Sequence, residues 1–334
     1  MRKIINDPEM VVDESVQGFL KAHSGLVEAS DNPRVLVSKN AAQPGRVGIV
    51  TGGGSGHKPA FIGYIGENML DAVAVGEVFS SPPAQAFFDA IKSADSGNGV
   101  ACLYGNYAGD KMNMKMAEKM AADAGIKVKS VIANDDAASA PADQPNKRRG
   151  VAGEIFMWKV AGAASAKGYN LEEVVSAAQK AIDNTRSVGV GLSSCTLPQL
   201  GHPNFDIEEG KMEFGIGHHG EPGIEITDLE SAKIIAERMC STVIEDLPFN
   251  SGDDVAVIVS GLGATPLQEL YILFNEISGI LELSEINIHT SLVGNYFTSL
   301  EMQGATFTIM RLDSEMKELL SFPARSPGLI VTGG

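Results

Sequence analysis

Two hydrophobic patterns alternate along the chain: short runs of β-branched residues, and longer stretches in which apolar positions recur at helical spacing. This succession of strand and helix patterns favours an α/β architecture. The short apolar runs predict strands at residues 47–51, 99–104, 127–133, 187–194, 254–260, 287–293 and 306–312.

Helix starts are indicated where Asn or Thr stands three residues before Glu or Gln, which is the spacing of a capping pair. A proline at the first helical position strengthens such a signal. The spacing predicts helices that start at Asn170 with Glu173, at Thr227 with Glu230, and at Thr265 with Gln268, the last of these with Pro266 at its first position.

A further helix is indicated by Met112, Met116 and Met120, which recur every four residues in "KMNMKMAEKMAADAG". Residues at this spacing share one face of a helix, and methionine commonly fills gaps in hydrophobic cores. The sequence therefore predicts a helix whose methionine face is buried.

The chain has 334 residues, which is enough for two domains. A helix pattern ends and a strand pattern begins near residues 184–188, and this predicts α/β domains at residues 1–185 and 186–334. Each is expected to hold a central mixed or mostly parallel sheet flanked by helices. The pattern leaves open whether the last residues return to the first domain.

Composition narrows the class of protein. The formal charge of −16 argues against nucleic acid or an anionic membrane surface as a partner. Cys102, Cys195 and Cys240 are too scattered to indicate a disulfide framework or a zinc site. Because the chain has neither an apolar signal region nor a run of about 18 apolar residues, we expect a cytoplasmic protein.

The stretch "GIVTGGGSGHKPAF" is an apolar strand that runs into glycines and His57. It is not a P-loop, because His57 precedes Lys58 and Pro59 follows it, and it lacks the third glycine of a dinucleotide-binding turn. A bare backbone beside one titratable ring suits a small ligand, although a tight turn with a surface histidine would give the same pattern. The candidate ligand contacts are His57, Gly53, Gly54, Ser55, Gly56 and Lys58.

Two more glycine-rich stretches carry candidate chemistry. In "YGNYAGDKMN", Asp110 stands near a helix start, where its charge is favoured; an N-cap aspartate is the alternative. In "FGIGHHGEPG", His218 and His219 are adjacent, and Glu221 follows. If they lie on a strand, neighbouring residues point to opposite faces, and the HxH and HxxxH spacings are absent. We therefore expect no metal, with one histidine in the site and the other elsewhere.

Together these stretches resemble the dihydroxyacetone kinase family, specifically its ketose-binding DhaK subunit. The resemblance rests on "GGGSGH", "GYIG", "NYAGD", "RRGVAG", "GHHGEPG", "GLGATPLQELY" and "TSLEMQG", in order along nearly the whole chain. Because the motifs are co-linear, this signal is far more specific than a single glycine loop.

The resemblance implies roles for individual residues. His219, directly before Gly-Glu-Pro-Gly, is expected to hold a short ketose as a hemiaminal on its ring nitrogen. Asp110 is expected to accept the proton of the attacking hydroxyl, with His57 orienting or sharing the charge. Gly54 and Ser55 are expected to offer backbone hydrogen bonds to the ligand.

The resemblance also implies partners. The nucleotide, ATP or a tightly held ADP with magnesium, would belong to a separate DhaL-type helical subunit, so this chain itself is expected to bind no cofactor. The donor could be ATP directly or a phosphoenolpyruvate relay through a DhaM-type phosphotransfer protein. A homodimer is implied as well.

The chain departs from the family pattern close to the expected ligand. Gly105 stands where the family has a lysine that contacts the ketose, Ala108 where it has threonine, and Lys58 where it has glutamate. His218 replaces an aliphatic residue. Lys58 could restore the missing charge, or Gly105 could make room for a longer ketose. The leading hypothesis is a relative of dihydroxyacetone, such as the four-carbon ketose erythrulose.

Three functions compete on the sequence alone. The first is a kinase subunit that makes a ketose phosphate, which the joint presence of His57, Asp110 and His219 favours. The second is a non-catalytic sensor that binds the ketose and regulates transcription, since sensing needs only His219. The third, much weaker, is a dehydrogenase that uses the glycine turn for NAD.

Overall fold

The computed structural model describes residues 3–203 and 205–333. In this part of the chain the α-helices are α1 (Val11–Ala22), α2 (Ala84–Ala94), α3 (Ala108–Asp123), α4 (Glu154–Ala166), α5 (Leu171–Asp183), α6 (Ala232–Asp246), α7 (Leu267–Leu283) and α8 (Ser314–Ser321). The strands are β1 (Val27–Ala29), β2 (Val35–Ser38), β3 (Gly48–Ser55), β4 (Ala72–Val78), β5 (Val100–Gly105), β6 (Val128–Ala133), β7 (Thr185–Gly191), β8 (Lys211–Phe214), β9 (Glu225–Asp228), β10 (Asp254–Gly261), β11 (Asn287–Gly294), β12 (Gly304–Leu312), β13 (Ala324–Arg325) and β14 (Ile330–Val331).

The strands form two large mixed sheets. The first has the order β1-β2-β4-β3-β5-β6, and its β4-β3-β5-β6 portion is parallel. The second has the order β11-β10-β12-β7-β8-β9; β10 and β11 pair in parallel, while the remaining neighbours are antiparallel. The prediction of two α/β domains with mixed sheets is confirmed. The second sheet is less parallel than the alternation of strands and helices indicated, because the described residues between β7, β8 and β9 form no helix.

The chain folds into two units that are interleaved in sequence. The first comprises the residues up to Ala133, Glu154–Lys180 and the residues from Glu318 onward, and the second comprises Asn134–Gly153 and Ala181–Lys317. The sequence predicted a single boundary at residue 185 and did not assign the C-terminal residues to either domain. In the structure, those last residues belong to the first unit.

Segment 134–153 belongs to the second unit rather than to the first domain predicted for it. Asp135 accepts a hydrogen bond from Ser187 Oγ at 2.6 Å. Arg148, which is 2% exposed, donates from a guanidinium nitrogen to Asp246 at 2.7 Å. Polar groups buried this deeply need partners, and those partners lie on β7 and α6. The sequence alone does not reveal these two hydrogen bonds, because the residues that they join are 52 and 98 positions apart in the chain.

In the first unit, helices pack against a sheet of small and β-branched residues. Val100, Cys102 and Tyr104 of β5 share a buried cluster with α2 and α3. The alternate residues of a strand face the other way, and α4, buried nearly all round, packs against β3 and β5. Its Trp158 donates to the Leu103 carbonyl at 3.1 Å. The carboxyl ends of β3 and β5 thereby lead into the glycine-rich stretches.

The core of the second unit lies between its sheet and two helices. Buried residues of β7, β10 and β12 share one cluster with Ile235 and Met239 of α6 and with Leu270 and Ile277 of α7. The turn that carries both adjacent histidines lies between β8 and β9 of this sheet. In residues 3–203 and 205–333, no helix is long and apolar enough to cross a membrane.

The helix predictions have mixed outcomes. Asn170 Oδ1 accepts from the backbone of Glu172 and Glu173 at 3.0 and 3.1 Å, and Glu173 accepts from the backbone of Asn170, so this capping pair is confirmed. The pair at Thr227 is wrong, because Thr227 lies in β9 and Ser231 caps α6.

The prediction at Thr265 is wrong in detail. Pro266 is the N-cap of α7 rather than its first helical residue. The Thr265 hydroxyl instead lies 2.7 Å from both the backbone nitrogen and the carbonyl oxygen of Gly304. Its hydrogen bonds therefore connect the N-terminus of α7 to the start of β12.

The methionine face of α3 is not buried. Met112 is 62% exposed and Met116 is 55% exposed. The buried face of the helix consists of Met114, Ala117 and Ala121. The small side chains of Ala117 and Ala121 let α3 pack closely against α2, whose own buried face is rich in alanine. The prediction of a core-facing methionine stripe is therefore wrong.

Candidate functional site

The glycine run of the first unit lies in a strand rather than in a loop. β3 continues through Gly52, Gly53 and Gly54 to Ser55. A Cβ on Gly53 would lie 2.2 Å from the Phe61 ring, and one on Gly54 would lie 2.7 Å from the backbone nitrogen of Ser80. The bare backbone predicted for a ligand is thus also required by close packing of the protein against itself.

The true turn comes at Gly56, whose φ of +114° favours glycine. Just before it, the Ser55 hydroxyl donates to the Gly76 carbonyl at 2.9 Å. The Ser55 carbonyl accepts from the backbone nitrogen of Phe79 at 2.9 Å. The side chain and backbone of Ser55 therefore fix the end of β3 to β4 and to the residue that follows it.

His57 is buried, with 2% of its surface exposed. Its ring stacks on Phe79, with centroids 5.2 Å apart and planes 23° apart, and meets the edge of Phe61 at 6.2 Å. These aromatic contacts hold the imidazole in one orientation. The alternative of a surface histidine at a tight turn is wrong. Next to it, burial lowers the pKa of Lys58 to about 8.

The segment 79–82 connects the glycine strand with the helix that carries Asp110. Asn113 of α3 donates to Ser81 Oγ at 3.2 Å and to the Pro82 carbonyl at 2.8 Å. A Cβ on Gly109 would lie 3.1 Å from the Ser81 side chain. The same segment supplies Phe79, which stacks on His57. The sequence analysis missed this segment, although "FSSPP" directly after a strand was a usable turn signal.

Asp110 is the third residue of α3 and lies in its first turn. The N-cap is Tyr107, so the alternative reading of Asp110 as an N-cap is wrong. A carboxylate in the first turn is stabilised by the positive end of the helix dipole.

Gly105, at the end of β5, adjoins a carboxylate that the sequence analysis did not identify. A Cβ on Gly105 would lie 2.7 Å from Oε1 of Glu154 and 3.2 Å from the Tyr107 ring. Glu154 is fully buried at the start of α4. The space next to Gly105 is therefore filled by an acidic side chain of the protein itself.

In the second unit, the turn after β8 presents His219 with its ring 23% exposed. Glu221 contacts it twice: Oε1 lies 2.8 Å from Nδ1, and Oε2 accepts the backbone N–H of His219 at 2.9 Å. Although burial opposes it, the hydrogen bonds and charge of His219 hold the pKa of Glu221 well below its usual range. Glu221 is therefore an ionised partner for this ring.

The backbone around this pair is tightly folded. Gly220 has φ +79°, and a Cβ there would lie 2.2 Å from the Phe205 ring. A Cβ on Gly217 would lie 2.1 Å from Oε2 of Glu221. The glycines of the "GHHGEPG" motif thus bring the Glu221 carboxylate to the histidine.

Arg149 supports Glu221 from the other side. It donates to Asp136 at 2.8 Å and to the Gly215 carbonyl at 3.0 Å, and one of its nitrogens lies 3.9 Å from Glu221. The motif "RRGVAG" of the sequence analysis therefore supplies a cation behind the histidine turn. Its role was not predicted, because Arg149 and Glu221 are 72 residues apart in the sequence.

His218 points into the protein. It is 3% exposed, and its ring meets the edge of Phe297 with centroids 5.1 Å apart. Burial, together with the charge of His219, lowers the pKa of His218 to about 3. The two histidines lie in a turn rather than on a strand, and their exposures differ, as expected for one residue in a site and one elsewhere. Among the described residues, no group of three or more His, Cys, Asp or Glu side chains could hold a metal ion.

Comparison with known proteins gives a family match. The Dak1 domain model matches residues 17–328. The dihydroxyacetone-binding subunit DhaK of PTS-dependent dihydroxyacetone kinase 2 from Listeria innocua is 44% identical over 328 residues, which cover 98% of this chain and 98% of the relative. The D-erythrulose kinase of Mycolicibacterium smegmatis is 38% identical over 98% of this chain, which spans only 56% of that protein. Among solved structures, the dihydroxyacetone kinase operon co-activator DhaQ is 27% identical with a TM-score of 0.89, over 96% of this chain and 99% of that one.

Proposed function

The chain belongs to the DhaK branch of the Dak1 domain family, and we propose that it binds a short ketose covalently and presents it for phosphorylation. Family membership makes it a subunit of a kinase, as the sequence predicted. The observation that carries the covalent part of the proposal is the contact between His219 Nδ1 and Glu221.

That contact supports Nε2 as the nucleophilic nitrogen of His219. An ionised carboxylate only accepts hydrogen bonds, so Nδ1 carries a proton, and in the neutral ring the lone pair is on Nε2. The His219 side chain is 23% exposed, which lets a small carbonyl compound approach the ring. A neutral imidazole held in this tautomer is a competent nucleophile.

The covalent step can be written with its protons. The Nε2 lone pair forms a bond to the ketose carbonyl carbon, and the electron pair of the carbonyl π bond moves to oxygen. The resulting imidazolium loses its Nδ1 proton to Glu221 or water, and the alkoxide takes up one proton, which gives a neutral hemiaminal. The bond immobilises a ligand too small for tight non-covalent binding and rejects polyols, which have no carbonyl carbon.

Asp110 and His57 act on the hydroxyl of the bound ketose. Asp110, stabilised as an anion by the first turn of α3, accepts the proton as the hydroxyl oxygen attacks phosphorus. His57, held by Phe79 and Phe61, orients the hydroxyl or shares its charge. The backbone at Gly53, Gly54, Ser55 and Gly56 and the ammonium of Lys58 bind ligand oxygens, and Gly105 borders the ligand at the point where the Glu154 carboxylate fills the place of a side chain.

The substrate is dihydroxyacetone or a close relative, with erythrulose the leading candidate. Two features support a change from dihydroxyacetone: the absence of the family lysine at Gly105, and the buried Glu154 beside it. Relatives named as a dihydroxyacetone-binding subunit and as a D-erythrulose kinase both match 98% of the chain.

The proposed partners follow from the same relatives. A DhaL-type subunit carries ATP or ADP with magnesium and supplies the phosphoryl group. The Listeria relative is named PTS-dependent, which supports a DhaM-type relay as the donor. We place the protein in the cytoplasm as a homodimer.

The test is phosphorylation of dihydroxyacetone and both erythrulose enantiomers by this protein with its helical partner subunit. We expect turnover of at least one ketose, and intact-protein mass spectrometry should show one whole ketose added to the chain. His219→Ala should abolish both signals, whereas Asp110→Asn should keep the adduct and lower kcat by roughly 100-fold or more. If dihydroxyacetone is turned over with higher kcat/KM than either erythrulose, the erythrulose assignment is wrong.

A second function is favoured by one comparison. The co-activator DhaQ superposes with a TM-score of 0.89, so a regulatory relative shares this fold. In that case the chain would bind ketose through His219 and transfer no phosphate. Ketose adduct formation without turnover in the presence of the helical subunit would support this reading and overturn the kinase proposal.

A further inference from the structure

Each nitrogen of the Arg149 guanidinium lies near a different acceptor of the second unit. Nε donates to Asp136 at 2.8 Å, Nη2 donates to the Gly215 carbonyl at 3.0 Å, and Nη1 lies 3.9 Å from Oε2 of Glu221. The backbone nitrogen of Arg149 donates to Ser139 Oγ at 3.0 Å. These contacts fix the cation in one position, with its side chain 12% exposed.

Bare backbone lets this cation approach the turn between β8 and β9 that carries the two histidines. A Cβ on Gly217 would lie 2.4 Å from Nη1 of Arg149 and 2.1 Å from Oε2 of Glu221. Glu221 faces the His219 ring with Oε1, at 2.8 Å from Nδ1, and faces the guanidinium with Oε2. The same carboxylate thus adjoins both the arginine and the imidazole.

The contact between Glu221 and His219 has two opposing effects on the imidazole. It orients the ring, but an ionised carboxylate beside an imidazole also favours the imidazolium form. An imidazolium carries protons on both ring nitrogens and has no lone pair for a carbonyl carbon. Glu221 alone would therefore reduce the fraction of His219 that can react near pH 7.

A positive charge next to the carboxylate opposes this protonation. An arginine side chain stays charged throughout the accessible pH range, and 3.9 Å from a carboxylate in a partly buried site is close enough for a strong effect. Burial raises the pKa of Asp136 to about 6, so Asp136 is an anion at pH 7 and balances part of the charge of Arg149. The guanidinium uses different nitrogens for the two carboxylates, so its pairing with Asp136 leaves Nη1 facing Glu221.

Two other titratable side chains belong to this turn or contact its backbone. Glu213 accepts a hydrogen bond from the Gly223 nitrogen at 2.6 Å. Burial lowers the pKa of His218 to about 3, so this ring is neutral near pH 7. Under the proposed function, Asp110 and His57 act on the same ligand. The variants described below leave all of these side chains unchanged.

We propose that Arg149 is a positioning residue that keeps His219 neutral and nucleophilic while Glu221 orients the ring. The proposal rests on the proposed function, in which Nε2 of His219 attacks the ketose carbonyl. The guanidinium offsets the charge of the carboxylate, so that Glu221 accepts the Nδ1 hydrogen bond without drawing a second proton onto the imidazole. Arg149 thus acts through Glu221 and not on the ligand.

The experiment follows the protonation of His219 and its reaction with ketose in the full chain. The ¹⁵N NMR signals of the ring, assigned with His219→Ala, are titrated from roughly pH 5 to pH 9. The rate of adduct formation with dihydroxyacetone and with erythrulose is measured over the same range by mass spectrometry after rapid mixing. R149Q should raise the pH of half-protonation by about 0.5–1 unit. Its adduct rate should fall about three- to tenfold at acid pH and reach at least the wild-type rate near pH 9.

Further variants separate the effect of charge from that of structure. R149M also removes the charge and should behave as R149Q does, which provides a second test if one of the two does not fold. R149K keeps the charge and should shift the pH of half-protonation less. D136N removes an anion and should not raise it. R311Q is the matched control, because Arg311 also donates to a backbone carbonyl and to a polar side chain of the second unit, at 3.1 and 3.2 Å, and it should leave both measurements unchanged.

The proposal is overturned if removal of the Arg149 charge leaves the pH of half-protonation unchanged, or if D136N raises it by as much. It is also overturned if adduct formation falls equally at every pH, since a loss of turn structure would have that effect. A wild type that forms no adduct with either ketose would overturn the proposed function instead. The NMR titration would then still show whether Arg149 controls the protonation of His219.

Discussion

Glu221 holds His219 through both of its carboxylate oxygens, one 2.8 Å from Nδ1 and the other 2.9 Å from the backbone nitrogen of the same residue. The backbone bond fixes the turn, and the ring bond fixes the tautomer. One carboxylate thereby contacts both the backbone and the ring of the residue that we propose binds the ketose.

We expect Glu221→Gln to lower kcat/KM for the ketose roughly 10- to 100-fold, because a hydrogen bond to a charged group is worth about 1.5–3 kcal/mol. The variant keeps the side-chain shape but loses the charge that balances the imidazolium. Steady-state kinetics and adduct mass check the result, with Glu208→Gln, an exposed carboxylate, as the control. Unchanged adduct formation in Glu221→Gln would contradict the proposed tautomer control.

His218 should make the protein less stable in acid. The pKa of His218 is lowered to about 3 in the folded protein, against an ordinary histidine value of about 6.5 when unfolded. Between these pH values the unfolded chain binds the additional proton. The free energy of unfolding therefore falls as pH falls through this range, by up to about 1.4 kcal/mol per pH unit from this residue.

The measurement is denaturant unfolding between pH 7 and pH 4 for wild type, His218→Leu and the exposed-histidine control His202→Leu. We expect the His218 variant to lose less stability on acidification than the wild type, while the control follows the wild type. Identical pH slopes for wild type and His218→Leu would refute a buried neutral imidazole at this position.

Asp246 stabilises the segment 134–153. It accepts hydrogen bonds from Arg148 and Arg186, which are 2% and 17% exposed. Asp246→Asn leaves these guanidinium groups without a counter-charge, and we expect a loss of about 3–5 kcal/mol in the free energy of unfolding. Asp228→Asn is the matched control, because Asp228 pairs with Lys211 while 89% exposed, and the loss of such a surface pair should change the stability little. Equal losses in the two variants would show that the buried triad is not stabilising.

Gly105 and Glu154 should be energetically coupled. A Cβ at position 105 would lie 2.7 Å from the Glu154 carboxylate, so Gly105→Ala should destabilise the protein in the presence of Glu154. With Glu154→Ala the added methyl finds space, and the double variant should be more stable than the sum of the single changes by about 0.5 kcal/mol or more. Chemical denaturation of the four proteins measures this coupling, and additive effects would rule it out.

The sequence predicted the elements whose signals are local. All the predicted strands fall on observed ones, from β3 to β12, because their apolar and β-branched residues are bounded by turn residues. The prediction missed β4, although its first five residues are a buried apolar run. It also missed short strands such as β1 and β14, which are three and two residues long and form through pairing with neighbours. The glycine motifs were recognised, but the packing of Phe61 against Gly53 needs contacts that only the fold supplies.

Helix faces were harder to predict than helix positions. Spacing alone shows that Met112 and Met116 share a face, but it does not show which face is buried. The close approach of α2 selects the alanines Ala117 and Ala121 for burial instead. In the same way, the sequence places Glu221 two residues after His219. It does not show that Arg149 lies near Glu221 or that Glu154 lies beside Gly105, because the fold brings these residues together from distant positions.

The interleaving of the two units has a consequence for synthesis of the protein on the ribosome. Lys159, whose pKa burial lowers to about 7, donates to the Leu319 carbonyl at 2.7 Å, and Glu67 pairs its backbone with Arg325. The first unit therefore lacks part of its interior until residues 318 onward have left the exit tunnel. Translating the 137 residues between positions 180 and 318 takes about 7–27 seconds at roughly 5–20 residues per second. During that interval the first unit cannot complete its fold, because its last residues have not been synthesised. The second unit, although it begins later in the sequence, is the first to have all its residues.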